Sequence, residues 1–194
     1  MHRSASSALA PALLLAGFVL SAFPSSSLAA ARAPAEPYAW RNVVIRGGGY
    51  VTGIQFHPRE PGLLYTRTDV GGAYRWIPEH RSWIALNDGI DRANNDLYAV
   101  LSLALDPRDS QRVYLACGAY FSEWARKAAV LRSQDRGASW EAVDLPIKLG
   151  GNQDGRGMGE RLQVDPNDGD ILYLGTNQDG LWRSRDGART WSRV

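Results

Sequence analysis

The sequence predicts an all-β protein built from β-propeller blades, each a sheet of four antiparallel strands. A pattern of Pro, Tyr and Trp recurs with a period of about 50 residues, which is typical of propeller blades. Between these landmarks the chain consists of short alternating runs broken by Gly, Pro, Asp or Asn, without convincing helical periodicity. We place about three consecutive blades near residues 50–83, 100–140 and 160–194.

The first segment, residues 1–33, is predicted to be an export signal. A positively charged start precedes an apolar run at residues 8–23, and small residues allow cleavage after Ala31 or Ala33. The apolar run is too short and too rich in Ala and Ser for a membrane span, which needs roughly 20 apolar residues. We therefore expect a secreted or periplasmic protein with no membrane partner, whose propeller domain is residues 34–194.

The cysteine, charged and histidine residues limit which partners and cofactors we expect. Cys117 is the single cysteine, so no intramolecular disulfide can form, and its apolar neighbours predict a core position. Removal of Arg3 and Arg32 with the signal reduces the 22 basic residues to 20, against 20 acidic ones. This balance argues against nucleic acid as a partner. His57 and His80 have no second ligand at metal spacing, so we expect neither a metal nor a cofactor.

Each repeat has the same internal order. A proline precedes a tyrosine by a fixed interval, and the unit closes on a tryptophan. The landmarks are Pro58, Tyr65 and Trp83, then Pro107, Tyr114 and Trp140, then Pro166, Tyr173 and Trp191. The middle unit is longer and carries an insertion near residues 120–127. In the third unit the four predicted strands are 161–164, 171–175, 180–184 and 190–194.

Two units also contain a turn motif. Residues 133–140 match S-x-D-x-G-x-[ST]-W, the Asp box of many β-propellers, and residues 184–191 match it except that Ala188 replaces the glycine. Ser and Asp side chains bind backbone groups of a hairpin loop, while Gly adopts a positive φ. We therefore interpret Asp135 and Asp186 as structural.

Three blades do not close a ring, because propellers use roughly four to eight. We expect an incomplete ring whose partner is a missing C-terminal propeller portion. Self-assembly of several copies is the alternative.

The first segment where chemistry is expected is residues 64–76. An alternating run leads to Asp69, Gly71 and Gly72 follow as a sharp turn, and a second run contains Tyr74 and Trp76. Strand ends on a rigid sheet hold side chains precisely, which suits catalysis. The alternative is that Asp69 only caps the turn.

The insertion of the second unit places Tyr120 and Trp124 on a loop. Flat apolar rings with polar tips suit a neutral polyhydroxylated ligand. A ligand platform and simple loop anchoring are both consistent with the sequence.

The third segment, residues 148–161, is rich in glycine and carries Asn152, Arg156 and Glu160 as polar candidates. It lacks the phosphate-loop sequence G-x-x-x-x-G-K-[ST]. An internal ion pair between Glu160 and Arg161 is the alternative to a ligand contact.

Four segments together resemble a known family. They are G-G-G-Y-V-T-G-I at 47–54, R-T-D-V-G-G at 67–72, the box at 133–140 and the glycine-rich segment at 150–162. In this order they are similar to the N-terminal part of glycoside hydrolase family 74, the xyloglucanases, and the resemblance covers residues 38–194. It implies two seven-bladed propellers with a cleft between them, and metal-free, inverting hydrolysis of β-1,4-glucan backbones such as xyloglucan.

The resemblance also implies residue roles. Asp69 would be the general base. The candidate substrate contacts are Tyr74, Trp76, Tyr120, Trp124, Asn152, Arg156 and Glu160. The family's general acid lies in its second propeller, so no residue of this chain takes that role, and we expect the isolated chain to be inactive.

The sequence also departs from the family pattern. Ala188 replaces a box glycine, Ala128 and Ala129 replace a frequent Gly-Ala pair, and residues 86–90 lack a tryptophan often found there, so substrate specificity is open. The rival hypothesis is a non-catalytic Asp-box propeller that binds proteins or glycans, and a sialidase is a weaker one. The non-catalytic propeller gives no reason for R-T-D-V-G-G or for the aromatic insertion, and no identifiable arginine cluster supports a sialidase.

Overall fold

The computed structural model describes Ala39 and residues 44–194. The predicted export signal lies outside these residues. Within the described part, three four-stranded antiparallel sheets confirm the predicted all-β class and the propeller blades. The strands are β1 (Val51–Phe56), β2 (Leu64–Thr68), β3 (Ala73–Ile77), β4 (Ser82–Ala85), β5 (Val100–Leu105), β6 (Val113–Cys117), β7 (Ala129–Ser133), β8 (Glu141–Asp144), β9 (Leu162–Val164), β10 (Leu172–Gly175), β11 (Leu181–Ser184) and β12 (Ser192–Arg193).

Each sheet is a meander in which sequential strands are hydrogen-bonded neighbours. The tyrosine that marks each repeat lies on the second strand of its sheet and is in register with an arginine on the third. These cross-strand pairs are Tyr65 with Arg75, Tyr114 with Arg132, and Tyr173 with Arg183. The three sheets do not close a ring among the described residues.

One short helix was not predicted. A 3₁₀ segment, Arg92–Tyr98, connects the first sheet to the second. Asp91 caps it, because its Oδ1 accepts the N–H of Asn94 at 3.1 Å. Seven residues are too few to show helical periodicity in the sequence. Over the described residues, no helix is both long and apolar enough to cross a membrane.

Two apolar layers hold the blades together. The layer between the first and second sheets contains Tyr65, Leu103, Leu115 and Leu131, and the layer between the second and third contains Leu101, Tyr114, Val130, Leu162 and Leu174. Cys117 lies in the first layer and is fully buried, as predicted. Burial raises the pKa of its thiol, which is consistent with a packing role.

The topology gathers several loops at one end of the sheets, which we call the Asp69 face. It contains the segments that follow β2, β6 and β10 and those that precede β1, β5 and β9. Backbone hydrogen bonds join these segments: Gly72 N–H of the first blade donates to the carbonyl of Tyr98, which precedes the second, at 2.8 Å. Within the second blade, Gly118 N–H donates to the Ala99 carbonyl at 3.0 Å.

The two motif turns lie at the opposite end, between β7 and β8 and between β11 and β12. Ser133 Oγ accepts from Gly137 N–H at 2.8 Å, and Asp135 accepts from the Ser139 N–H at 2.8 Å. In the second turn Ala188 adopts a φ of +68°, close to the +86° of Gly137. The second turn therefore keeps its backbone conformation without the glycine. Ala188 adopts a positive φ that is uncommon for alanine.

Candidate active site

Asp69 lies immediately after β2 with a carboxylate that is only 8% exposed. Its Oδ1 accepts the backbone N–H of Tyr50 at 2.7 Å, and its Oδ2 accepts the Nε–H of Arg156 at 2.9 Å. A carboxylate offers about four acceptor positions, so two hydrogen bonds fix its orientation and leave other acceptor positions unused.

The turn after Asp69 is capped by its neighbour Thr68. Gly71 N–H donates to Thr68 Oγ1 at 2.8 Å, and Thr68 Oγ1 donates to the Gly72 carbonyl at 3.0 Å. Gly72 adopts a φ of +85°. The carboxylate of Asp69 instead contacts segments 19 and 87 residues away. The interpretation of Asp69 as a mere turn cap is therefore wrong.

Glycine at position 71 is required by a close backbone approach. A Cβ there would lie 1.9 Å from the Gly48 carbonyl oxygen, and no side chain can be accommodated at that distance. The turn thus presses against the segment that carries Tyr50. This contact places the Tyr50 N–H next to the Asp69 carboxylate.

Glu160 pairs with Arg67 and not with Arg161. Its Oε1 accepts the Nε–H of Arg67 at 2.7 Å, and its Oε2 accepts from Ser102 Oγ–H and Leu103 N–H, both at 2.7 Å. Three donors therefore engage this carboxylate. The geometry corrects the ion-pair alternative and gives Glu160 an internal structural role in place of the predicted substrate contact.

Arg67 connects the first blade to the second, where its Nη1 donates to the Val100 carbonyl at 3.3 Å, and to the segment before the third. Its side chain is 1% exposed, and its Nη1 donates to Thr52 Oγ1 at 2.6 Å, while Nη2 donates to the Gly159 carbonyl at 3.2 Å. Another Nη1 contact reaches the Arg156 carbonyl at 3.3 Å. The strand that leads to Asp69 and the segment that carries Arg156 are thus held by one guanidinium.

The aromatic insertion is on the same face. The rings of Tyr120 and Trp124 have centroids 5.2 Å apart and are tilted by 48°. Asn152 Nδ2 donates to the Tyr120 hydroxyl at 2.7 Å, so it supports this ring. Trp124 is 74% exposed. The structure therefore brings Tyr120, Trp124 and Asn152 together.

A cavity of about 240 Å³ links the insertion to the Asp69 turn. Val70, Tyr98 and Tyr120 contribute to its wall, with Asp96 among the polar lining residues. Val70, the residue that follows Asp69, lines the cavity, so the cavity adjoins the Asp69 turn. Two aromatic residues and several polar groups then border the same space.

Tyr74 and Trp76 do not join this cluster. Tyr74 is 4% exposed and its hydroxyl donates to the Gly71 carbonyl at 2.7 Å, so its ring presents no free face to a sugar. Trp76 stacks edge-on against Trp83, with ring centroids 5.4 Å apart. It lies roughly 10 Å along β3 from Ala73, away from the Asp69 face. Strand alternation alone did not reveal either position.

Sequence reasoning also missed Tyr50. Its N–H binds Asp69, its side chain is 63% exposed, and a Cβ on Gly157 would lie 3.7 Å from its ring. Its position in the G-G-G-Y-V-T-G-I segment, one of the four that resemble the family, could have indicated that Tyr50 lies in the site. Tyr50 adds an exposed aromatic group next to the carboxylate.

No family model matches the chain. The chain is 50% identical over 186 residues to a xyloglucanase from a Paenibacillus species, which covers 94% of the chain and 18% of that relative. It is 53% identical over 161 residues to the xyloglucanase Xgh74A of Acetivibrio thermocellus, covering 81% of the chain and 19% of that relative. It therefore spans about a fifth of the length of these curated relatives.

Solved structures show the same similarity. The GH74 xyloglucanase from Xanthomonas campestris matches with a TM-score of 0.75 and 54% identity, covering 81% of the chain and 22% of that structure. The GH74 enzyme of Niastella koreensis matches with a TM-score of 0.71 and 42% identity, covering 78% and 22%. Agreement of sequence and fold over most of the chain shows that it belongs to glycoside hydrolase family 74.

Proposed function

We propose that this chain supplies the Asp69 half of an active site that hydrolyses β-1,4-glucan backbones such as xyloglucan with inversion. The observation that carries the proposal is the Asp69 carboxylate, which Tyr50 N–H and Arg156 hold at the end of β2. The turn that follows it lines a cavity bordered by aromatic residues. Relatives named xyloglucanases support the substrate class.

In this proposal Asp69 is the general base. An inverting hydrolase activates a water molecule with one carboxylate while a carboxylic acid protonates the glycosidic oxygen on the opposite side. The two carboxyl groups are roughly 6.5–9.5 Å apart, so that the water fits between the base and the sugar. Asp69 has acceptor positions left for that water after its two hydrogen bonds.

Arg156 is a positioning residue in the proposed reaction. Its Nε–H binds Asp69 Oδ2, and its own backbone is fixed through the Arg67 guanidinium. The carboxylate is therefore oriented by charge-assisted contacts, which are stronger than neutral hydrogen bonds. A preorganised base does not need to be ordered when the substrate binds.

The general acid is not assigned to this chain. Glu160, in the glycine-rich segment, already accepts hydrogen bonds from three internal donors, so it is not placed to protonate a leaving group. General-acid assistance is typically worth 10²–10⁴-fold. The chain alone is therefore proposed to bind substrate and to lack substantial hydrolytic activity.

Tyr120 and Trp124 are the proposed sugar platforms, and exposed Tyr50 is a further one. Pyranose rings have apolar faces that pack on aromatic rings, and their hydroxyl groups bind nearby amides and carboxylates. Asn152 contributes indirectly, because its amide fixes the Tyr120 hydroxyl. A polysaccharide is accordingly the proposed partner, and a secreted or periplasmic location fits a polymeric substrate.

The rival function is a non-catalytic propeller that binds proteins or glycans. We propose that the turns at residues 133–140 and 184–191 are Asp boxes, which both hypotheses accommodate, so these turns do not separate them. Affinity electrophoresis in gels containing xyloglucan separates the hydrolase proposal from the protein-binding form of the rival, because only a chain that binds xyloglucan is retained. A non-catalytic glycan-binding propeller is also retained, and it is distinguished by the absence of Asp69-dependent hydrolysis in a protein that continues this chain. Loss of retention in Trp124→Ala would assign binding to the Asp69 face and argue against a glycan site elsewhere.

A further inference from the structure

A second cavity, of about 390 Å³, lies between the first two blades, and its lining does not include Asp69, Tyr120 or Trp124. We call it the interblade pocket. It is bordered by the connection that follows β4 and by residues of β7, β8 and the turn between them. Its volume falls within the roughly 300–1,000 Å³ typical of small-molecule sites.

The pocket has an apolar wall made from both blades. Leu86, Ile90 and Leu97 come from the connection after β4, and Leu131 and Trp140 from the second blade. The Trp140 indole is fixed, because its Nε1–H donates to the Leu86 carbonyl at 2.7 Å. A fixed indole beside aliphatic side chains offers a preformed surface for the apolar face of a ring.

One buried polar atom in the lining is unsatisfied. Asn87 is 2% exposed, and its Nδ2 has no hydrogen-bond partner among the described residues. Its Oδ1 already accepts the Ala73 N–H at 2.9 Å, so the amide orientation is fixed. The atom is enclosed, so a ligand in the pocket reaches it only if the Asn87 side chain moves.

The charged residues of the lining indicate the charge of the ligand. Asp91 and Arg126 border the pocket with one charge of each sign, and Arg126 Nη2 already pairs with Asp144 Oδ1 at 2.7 Å. Ser139 and Asn94 add neutral polar groups to the lining. Such a lining favours a neutral ligand with hydroxyl groups and one apolar face over an anion or a lipid.

We propose that the interblade pocket is a second carbohydrate site, which holds a single neutral sugar residue separately from the Asp69 face. Trp140 and Ile90 would pack against the ring, and Ser139 and Asn94 would contact its hydroxyl groups. The proposal does not depend on the role of Asp69. It adds a binding site to the chain and assigns it no chemistry.

The test uses the indole N–H signals of the ¹⁵N-labelled chain in NMR spectra during titration with D-glucose and with D-xylose. The signal of Trp140 reports on the interblade pocket, and that of Trp124 on the Asp69 face. We expect a saturable shift at Trp140. A folded chain whose Trp140 signal does not shift, whether or not Trp124 responds, overturns the proposal and indicates that water alone occupies the pocket.

A filling variant provides the matched comparison. Gly89 lines the pocket, and a Cβ there meets nothing within 4 Å, so Gly89→Leu adds bulk without a backbone clash. Gly48→Leu is the control, because Gly48 also faces open space and lies outside the pocket. The saturable Trp140 shift should be lost in Gly89→Leu and kept in Gly48→Leu. An undiminished shift in Gly89→Leu would place the sugar elsewhere and refute the proposal.

Discussion

Arg67 and Glu160 form an ion pair that joins the first blade to the segment before the third, across 93 residues of sequence. The Arg67 Nε and Glu160 Oε1 atoms are 2.7 Å apart, and the arginine side chain is fully enclosed. Through the backbone of Arg156 the same guanidinium reaches the residue that binds Asp69. The stability of the blades and the orientation of the candidate base are therefore linked.

Glu160→Gln should lower the free energy of unfolding by about 3 kcal/mol, because it leaves the Arg67 charge buried without a counterion. Urea unfolding of the chain measures the change. Glu79→Gln serves as the control, since Glu79 is exposed in the turn after β3, and such surface changes usually stay within about 0.5 kcal/mol. Equal stability of the two variants would contradict a structural role for the pair.

Gly71→Ala should destabilise the chain by about 1–3 kcal/mol, because the new Cβ would overlap the Gly48 carbonyl and force the two segments apart. Thermal unfolding gives the comparison. Gly89→Ala is the matched variant, since its Cβ would meet nothing within 4 Å. If Gly71→Ala unfolds at the same temperature as Gly89→Ala, the close approach of the turn to residue 48 is wrong.

Stability should fall as the pH drops from about 4 to about 2. Hydrogen bonds from the Ser139 hydroxyl and N–H and from Ser133 lower the pKa of Asp135 from 3.8 to about 2. Because the folded-state pKa is depressed, the stabilisation is present above the ordinary value and is lost as the pH falls through the lowered one. Urea midpoints of the wild type and Asp135→Asn should therefore converge in acid. A constant difference between them over this range would refute the expectation.

Asp186 provides a second case in the third blade. Burial raises the pKa of its carboxyl, but hydrogen bonds from the Thr190 hydroxyl and N–H outweigh this effect and lower the pKa to about 2. Asp186→Asn should accordingly show the same loss of pH dependence as Asp135→Asn. The two turns should thus contribute in the same way to the pH dependence of stability, although one contains Ala188.

Trp124→Ala should weaken binding of xyloglucan oligosaccharides to the chain by about tenfold, the loss expected for one aromatic platform. Isothermal titration calorimetry measures the affinity. Folding should not change, because the Trp124 side chain is 74% exposed. Trp76→Phe is the control, since Trp76 packs on Trp83 away from the Asp69 face. An equal loss of affinity in both variants would contradict the assignment of the platform.

The blades could be predicted because their signals are local. The intervals from Pro58 to Tyr65, from Pro107 to Tyr114 and from Pro166 to Tyr173 each span one turn and the first two residues of the strand that follows. Strand positions in the third unit agree with the observed β9 to β12 within two residues at each end. Repetition of one supersecondary unit makes such patterns visible without any contact information.

The site was only partly predictable, because its contacts are distant in sequence. Resemblance indicated Asp69, but the pairing of Arg67 with Glu160 depends on how three blades pack. Nothing near Glu160 distinguishes that partner from adjacent Arg161. Likewise, the alternation around Tyr74 predicts a strand without saying that the ring is covered by its neighbours.

The central claim is that Asp69 activates the attacking water. The decisive measurement is xyloglucan hydrolysis by Asp69→Ala, with and without added azide, in a protein that continues this chain to the length of its relatives. Azide is already an anion and needs no base. We predict a rate loss of about 10²–10⁴-fold without azide, and partial recovery with azide that yields the α-configured glycosyl azide expected for inversion. Hydrolysis at the wild-type rate without azide would contradict the account.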